Sequence, residues 1–157
     1  MWPRRWIVAF ALVLAASGAE GATETGTLTV TATVQTECAL NGGTLDFGTY
    51  ASGQVQDLRV TGRIDYVNCS GLLSFELDGG QAGSVAGRYM VSGDDRLRYQ
   101  LYQTPARITL WGQGEDDLRL QLFTTQSGSV EVYGTIPGGQ AVPPGTYADV
   151  VNITLTF

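Results

Sequence analysis

Beyond residue 22 no window of this chain shows convincing 3.6-residue periodicity, while apolar residues return at every second position to the last residue, which confines the fold to β-strands. Leu28, Val30, Ala32 and Val34 alternate with threonines. Val60, Gly62, Ile64 and Tyr66 alternate less cleanly with Arg59, Thr61, Arg63 and Asp65, followed by Leu73, Phe75 and Leu77. The pattern continues through Leu97, Tyr99 and Leu101, through Leu118, Leu120 and Leu122, through Val130 and Val132, and ends on Val151, Ile153, Leu155 and Phe157. Each set turns one face to a core. Between the sets lie Asn41-Gly42-Gly43, Asp78-Gly79-Gly80, Ser92-Gly93-Asp94, Gly112-Gln113-Gly114, Pro137-Gly138-Gly139 and Pro143-Pro144-Gly145, the turn chemistry of short antiparallel strands. About seven such strands in one domain without helices predict an all-β sandwich or barrel.

The first 22 residues follow a different rule. Met1 to Arg5 form a short basic head on an apolar run of about a dozen residues, shorter than the roughly 20 that span a bilayer as a helix. Small residues follow, with Ser17-Gly18-Ala19 the best small-x-small site and Ala19-Glu20-Gly21 close behind. This predicts a secretory signal peptide over residues 1–22, the cleavage site approximate, and a mature protein of roughly 135 residues forming one domain. No later segment is apolar for long enough to cross a membrane as a helix, so the expected product is soluble or assembled outside the inner membrane. Export in turn predicts that Cys38 and Cys69, the two cysteines, form a structural disulfide. Closing a loop of about 30 residues removes unfolded-chain entropy worth about 3 to 4 kcal/mol. A redox role lacks both a C-x-x-C spacing and a nearby base.

All nine basic residues are arginine, the net charge is −6, and the chain has no histidine or lysine. The acidic balance argues against nucleic acid as a partner. Without histidine, lysine or a free thiol, catalysis would fall to carboxylate pairs such as Glu76 with Asp78, or Asp94 with Asp95, and both sit in or beside turns with no evident cleft. The chain is therefore read as non-enzymatic, with no cofactor and no metal.

Several segments, taken in order, resemble the spore coat protein U domain family, whose members include the Csu-type archaic chaperone-usher pilins. They are Leu45-Asp46-Phe47-Gly48-Thr49-Tyr50, Val67-Asn68-Cys69, Phe75-Glu76-Leu77-Asp78-Gly79-Gly80, Arg88-Tyr89-Met90 and Leu97-Arg98-Tyr99-Gln100-Leu101-Tyr102. Leu110-Trp111-Gly112-Gln113-Gly114, Val132-Tyr133-Gly134-Thr135-Ile136 and the closing residues 145–157 complete the set. The resemblance implies an immunoglobulin-like antiparallel β-sandwich over residues 37–157 that lacks its last strand. Its groove would be filled first by a periplasmic chaperone and then, after passage through an outer-membrane usher, by a neighbouring pilin subunit. Residues 23–36 would be the extension carrying the donor strand, with Leu28, Val30, Ala32 and Val34 as its apolar contacts. Val151, Ile153, Leu155 and Phe157 would form the acceptor edge, an exposed apolar edge that recruits another chain. The implied role is a structural subunit of a surface fibre serving attachment and biofilm, passing through the periplasm to the cell surface. Two alternatives stay open: an isolated coat or matrix domain, or an adhesin-type binding domain, neither of which polymerises. In either, residues 28–34 would be an ordinary first strand of their own domain.

The remaining motif residues each carry two readings. Trp111 is core packing or a carbohydrate-stacking surface. Asp46 and Asp78 are expected to bond local backbone amides, and Glu115-Asp116-Asp117 forms an acidic turn without calcium-loop spacing. Arg88 is expected to meet a carboxylate or carbonyls. The triplets Asn68-Cys69-Ser70 and Asn152-Ile153-Thr154 are incidental as glycosylation signals.

Overall fold

The computed structural model describes residue 21 and residues 23–34, 37–114 and 119–157. The chain divides into two compact units, residues 1–33 and 34–157. In the first, every described residue is solvent-exposed and none is assigned to a strand. The expected signal peptide and the acidic run at 115–117 lie outside the described residues.

The second unit is all-β, and its described residues form nine strands in three antiparallel sheets. They are β1 (Ala39–Thr44), β2 (Leu58–Val67), β3 (Gly71–Leu77), β4 (Tyr89–Ser92), β5 (Asp95–Arg98), β6 (Gln100–Tyr102), β7 (Leu120–Thr124), β8 (Gly128–Ile136) and β9 (Ile153–Thr156). One sheet has the order β1-β2-β8-β6, the second β7-β3-β9, and β4 pairs with β5 as a hairpin. Ile64, Tyr66, Val130, Val132 and Leu101 of the first sheet meet Leu73, Phe75 and Leu77 of the second in one buried cluster. The rings of Tyr66 and Phe75 touch across the sandwich, 5.7 Å between centroids. The alternation at 73–77 and 130–132 thus points inward as the sequence requires.

Three local expectations are corrected. Asn41-Gly42-Gly43 is not a turn between strands. It is a bulge inside β1, where the register against β2 shifts between Leu40 and Gly42, and Gly42 holds the φ of 72° that such a bulge takes from glycine. The run at 97–101 is two strands, because the Tyr99 N–H donates to the Arg88 carbonyl and the chain passes there from the hairpin to the large sheet. The final strand is shorter than residues 151–157, since its pairing with β3 covers only Ile153 to Thr156. Leu118 lies outside the described residues.

Candidate functional site

β9 hydrogen-bonds to β3 along one edge, and its other edge has no strand partner among the described residues. β1 is likewise paired along one edge, to β2. The slot between these two edges opens into the core. Register partners show how incompletely the core closes there: Phe75 and Leu77 are buried, while their β9 partners Leu155 and Ile153 are only partly buried. Val151, Leu40, Leu45 and Phe47 are partly buried in the same way. Alternation has aimed these side chains at the core, and among the described residues no further strand pairs over them to complete their burial.

The slot holds a cavity of about 300 Å³ with Ile64, Leu77, Leu101 and Val132 among its lining residues, flanked by Leu45 and Phe47 on one side and Val151 and Ile153 on the other. A neighbouring cavity of about 510 Å³ shares Leu45, Phe47, Met90 and Tyr147 with it and continues toward Tyr50 and Val142. The first is a mainly apolar groove, and the second, which shares that wall, is lined as much by polar surface as by apolar. Gly134 of β8 makes room for its wall, because a Cβ there would lie 2.8 Å from Phe47 Cζ and 2.9 Å from Leu45 Cδ2.

One end of the groove is fastened by a buried polar network. Arg88, 0% exposed, donates from Nε and Nη2 to the Asp78 carbonyl and from Nη2 to the carbonyls of Leu77 and Trp111. The arginine therefore meets carbonyls, one of the two partners expected of it. The Tyr99 hydroxyl donates to Asp149 Oδ2 at 2.6 Å, and burial followed by that hydrogen bond pushes its pKa far above the usual tyrosine range, so it stays a donor. Asp149 Oδ1 accepts the Gln81 and Val150 N–H groups.

Asp78 ties the chain entering β9 to the end of β3. Its Oδ1 accepts the N–H groups of Gly80 and Asn152, and its Oδ2 accepts Asn152 Nδ2–H. Desolvation raises the Asp78 pKa, but the Asn152 side chain, the two backbone donors and the Arg88 charge outweigh it and hold the carboxyl below the ordinary value. A depressed folded-state pKa contributes stability above the unfolded pKa that is lost as pH falls through the folded one. Stability should therefore decline below about pH 4, and Asp78→Asn should flatten that decline in urea melts measured across acid pH.

The other expected residues fall as follows. Cys38 and Cys69 are bonded, 31 residues apart. Trp111 is fully buried and its Nε1–H donates to the Phe75 carbonyl, so it is core and not a carbohydrate platform. Asp46 Oδ1 accepts the Gly48 N–H as a local turn. Glu76 pairs with Arg119 at 3.6 Å, while Asp94 and Asp95 lie exposed at the β4–β5 turn. Among the acceptor-edge residues, Val151 and Ile153 line the groove, whereas Leu155 lies beyond the lining and Phe157 is 60% exposed. Leu28, Val30 and Val34 are 83 to 94% exposed. Gln140, which no sequence signal marked, uses its side-chain amide to bond both the N–H and the carbonyl of Arg98.

This groove sits in a recognisable lineage, since residues 24–154 match the Spore Coat Protein U domain. The chain belongs to that family. A relative of the spore coat protein U domain chain, "Protein U" of Myxococcus xanthus, is 39% identical over 170 residues, covering 96% of this chain and 94% of that protein. Among solved structures the domain resembles a chain of the CsuC-CsuE chaperone–tip adhesion subunit pre-assembly complex from the archaic chaperone-usher Csu pili of Acinetobacter baumannii. That match has a TM-score of 0.54 at 19% identity and covers 77% of this chain but only 39% of the other. The E. coli Hda pilus minor tip subunit, HdaB, gives a TM-score of 0.44 at 18% identity, covering 74% and 78% of the two chains. The spore coat protein U domain here thus has a pilin-like, all-β fold.

Proposed function

We propose that this chain is a structural subunit of an exported surface fibre of the archaic chaperone-usher type, assembled by donor-strand complementation and serving attachment and biofilm. The observation that carries the reading is the β9 edge without a strand partner among the described residues, where an apolar groove stands open beside strand residues that alternate toward the core yet are only partly buried. An extended segment with an apolar residue at every second position has the form that such a groove accepts. Residues 23–34 have that form, since Leu28, Val30, Ala32 and Val34 are spaced by threonines and are exposed. A periplasmic chaperone would cover the same groove before assembly, an outer-membrane usher would pass the subunit out, and residues 1–22 would be the export leader. The family match supports this reading, as does the fold shared with a chaperone–subunit complex.

The test uses a chain lacking residues 23–34 and a peptide spanning residues 26–36. The peptide should raise the melting temperature with dose, by the equivalent of about 2.7 kcal/mol at a hundredfold excess over its Kd. In the full-length protein, Val30→Asp should leave monomers where the parent forms linear oligomers, because it places a carboxylate in an apolar pocket. A second reading, a self-contained coat domain, is favoured by the likeness to Protein U over nearly the whole length of both chains. A truncated domain indifferent to the peptide, with a monomeric full-length protein, would select that reading.

A further inference from the structure

The outer face of the three-stranded sheet carries an apolar pair that the groove does not use. Leu72 of β3 and Phe123 of β7 are register partners, 60% and 74% exposed, while the next pair along, Leu73 and Leu122, faces the core. Beyond them the outer face is polar: Ser74 stands opposite Gln121, and Glu76 pairs with Arg119. Among the described residues no other two exposed large apolar side chains are register partners. The pair lies at the end of the sandwich where β3 begins, and Leu72 is three residues after Cys69. Cys69 is bonded to Cys38, with their Cα atoms 4.3 Å apart. The extension of residues 23–36 is therefore rooted at this same end.

We propose that Leu72 and Phe123 form a second contact between successive copies of this chain, packing on the copy that receives the extension, at the surface around its Val150. The inference rests on the fibre reading and adds to it a contact outside the groove. Four peptide links separate Val34, the last apolar residue of the extension, from Cys38, a reach of about 14 Å. A domain of this size has a radius of gyration of about 14 Å as well. A copy that holds Val34 in its groove therefore has no room to stand clear of the end that carries Leu72 and Phe123. Strand direction decides which surface it presents. Every strand pair in the domain is antiparallel, and a strand added in the same sense to the free edge of β9 ends with Val34 beside the start of β9. Val150 stands there: its neighbours Asp149 and Val151 line the groove, while Val150 itself is exposed. The contact joins two unlike surfaces head to tail, so it repeats along a fibre instead of closing a dimer. Assembly then removes all three apolar side chains from water.

Cross-linking in oligomers of the full-length protein tests the contact. Phe123→Cys combined with Val150→Cys should give a ladder of reducible covalent oligomers. Phe123→Cys combined with Ile108→Cys, a position at least as exposed in the loop after β6, should not. The double variant Leu72→Ser and Phe123→Ser should still assemble, because extension and groove are untouched. Its oligomers should nevertheless release subunits to excess peptide 26–36 about tenfold faster than the parent's, since lost interface contacts act mainly on dissociation. Both side chains are exposed, so this variant should keep the parent's near-ultraviolet circular dichroism. The peptide should also stabilise a truncated chain carrying both serines as much as it stabilises the truncated parent, which separates the outer contact from the groove. Oligomers that cross-link no better through Val150 than through Ile108, or that exchange at the parent's rate with both serines in place, overturn the contact and leave the fibre reading standing. A truncated domain indifferent to the peptide overturns the fibre reading and the contact with it.

Discussion

Arg88→Met is expected to cost about 3 to 5 kcal/mol, a large share of the margin of about 5 to 15 kcal/mol that a domain of this kind holds. The reason lies in what the side chain leaves behind. Its guanidinium satisfies the carbonyls of Leu77, Asp78 and Trp111 at a site with no solvent access, and methionine fills much of the volume while donating to none of them. Each buried orphan carbonyl costs about 1 to 3 kcal/mol. Burial lowers the guanidinium's own pKa while Tyr99, Asp78 and Asp149 raise it, and an arginine stays charged throughout the neutral range. Arg88→Lys should recover little, because a single ammonium does not reproduce contacts made from two separate guanidinium nitrogens. Urea midpoints and export yield measure both variants. A loss for Arg88→Met within about 1 kcal/mol would show that the three carbonyls find other donors.

Cys69→Ser should destabilise the disulfide-bonded domain by about 3 to 4 kcal/mol, the unfolded-chain entropy released when a loop of this length opens. Cys69 is itself buried, between β2 and β3, so a serine hydroxyl placed there also needs a hydrogen-bond partner. The Cys38→Ser and Cys69→Ser double variant should lose little more than either single one, since both remove the same bond. The parent measured with and without reductant should show the same gap in urea midpoint. A parent indifferent to reductant would place the stability of the domain in its core alone.

The sequence was most informative where a rule is local and repeated. Period-2 alternation located Leu73, Phe75 and Leu77 on the buried face, and the cysteine count with an export signature paired Cys38 with Cys69. It was less informative where two distant segments settle the outcome together. Asn41-Gly42-Gly43 has turn composition, yet β2 continues alongside it and converts it to a bulge. At Tyr99 an unbroken apolar alternation conceals a change of sheet, because the partner strand changes while the side-chain period does not. The groove was legible only through family resemblance. Alternation says which way Ile153 points, and only the fold says whether anything lies over it. Gln140 acts through backbone groups of a remote segment, for which a linear sequence carries no pattern, whereas Arg88 was marked by its motif and only the identity of its carbonyls was hidden.

The position of the disulfide has a mechanical consequence. Tension applied through the N-terminal extension reaches Cys38 before it reaches any hydrogen bond of β1, since that strand begins at the next residue. The covalent link carries the load past β1 to Cys69, which sits between a strand of one sheet and a strand of the other. Pulling is thereby shared across the whole sandwich, and β1 is not peeled away one bond at a time. The 31-residue separation between the cysteines also becomes length that force cannot extract, at about 3.3 to 3.6 Å per residue. A chain loaded along this path behaves as a short, stiff link.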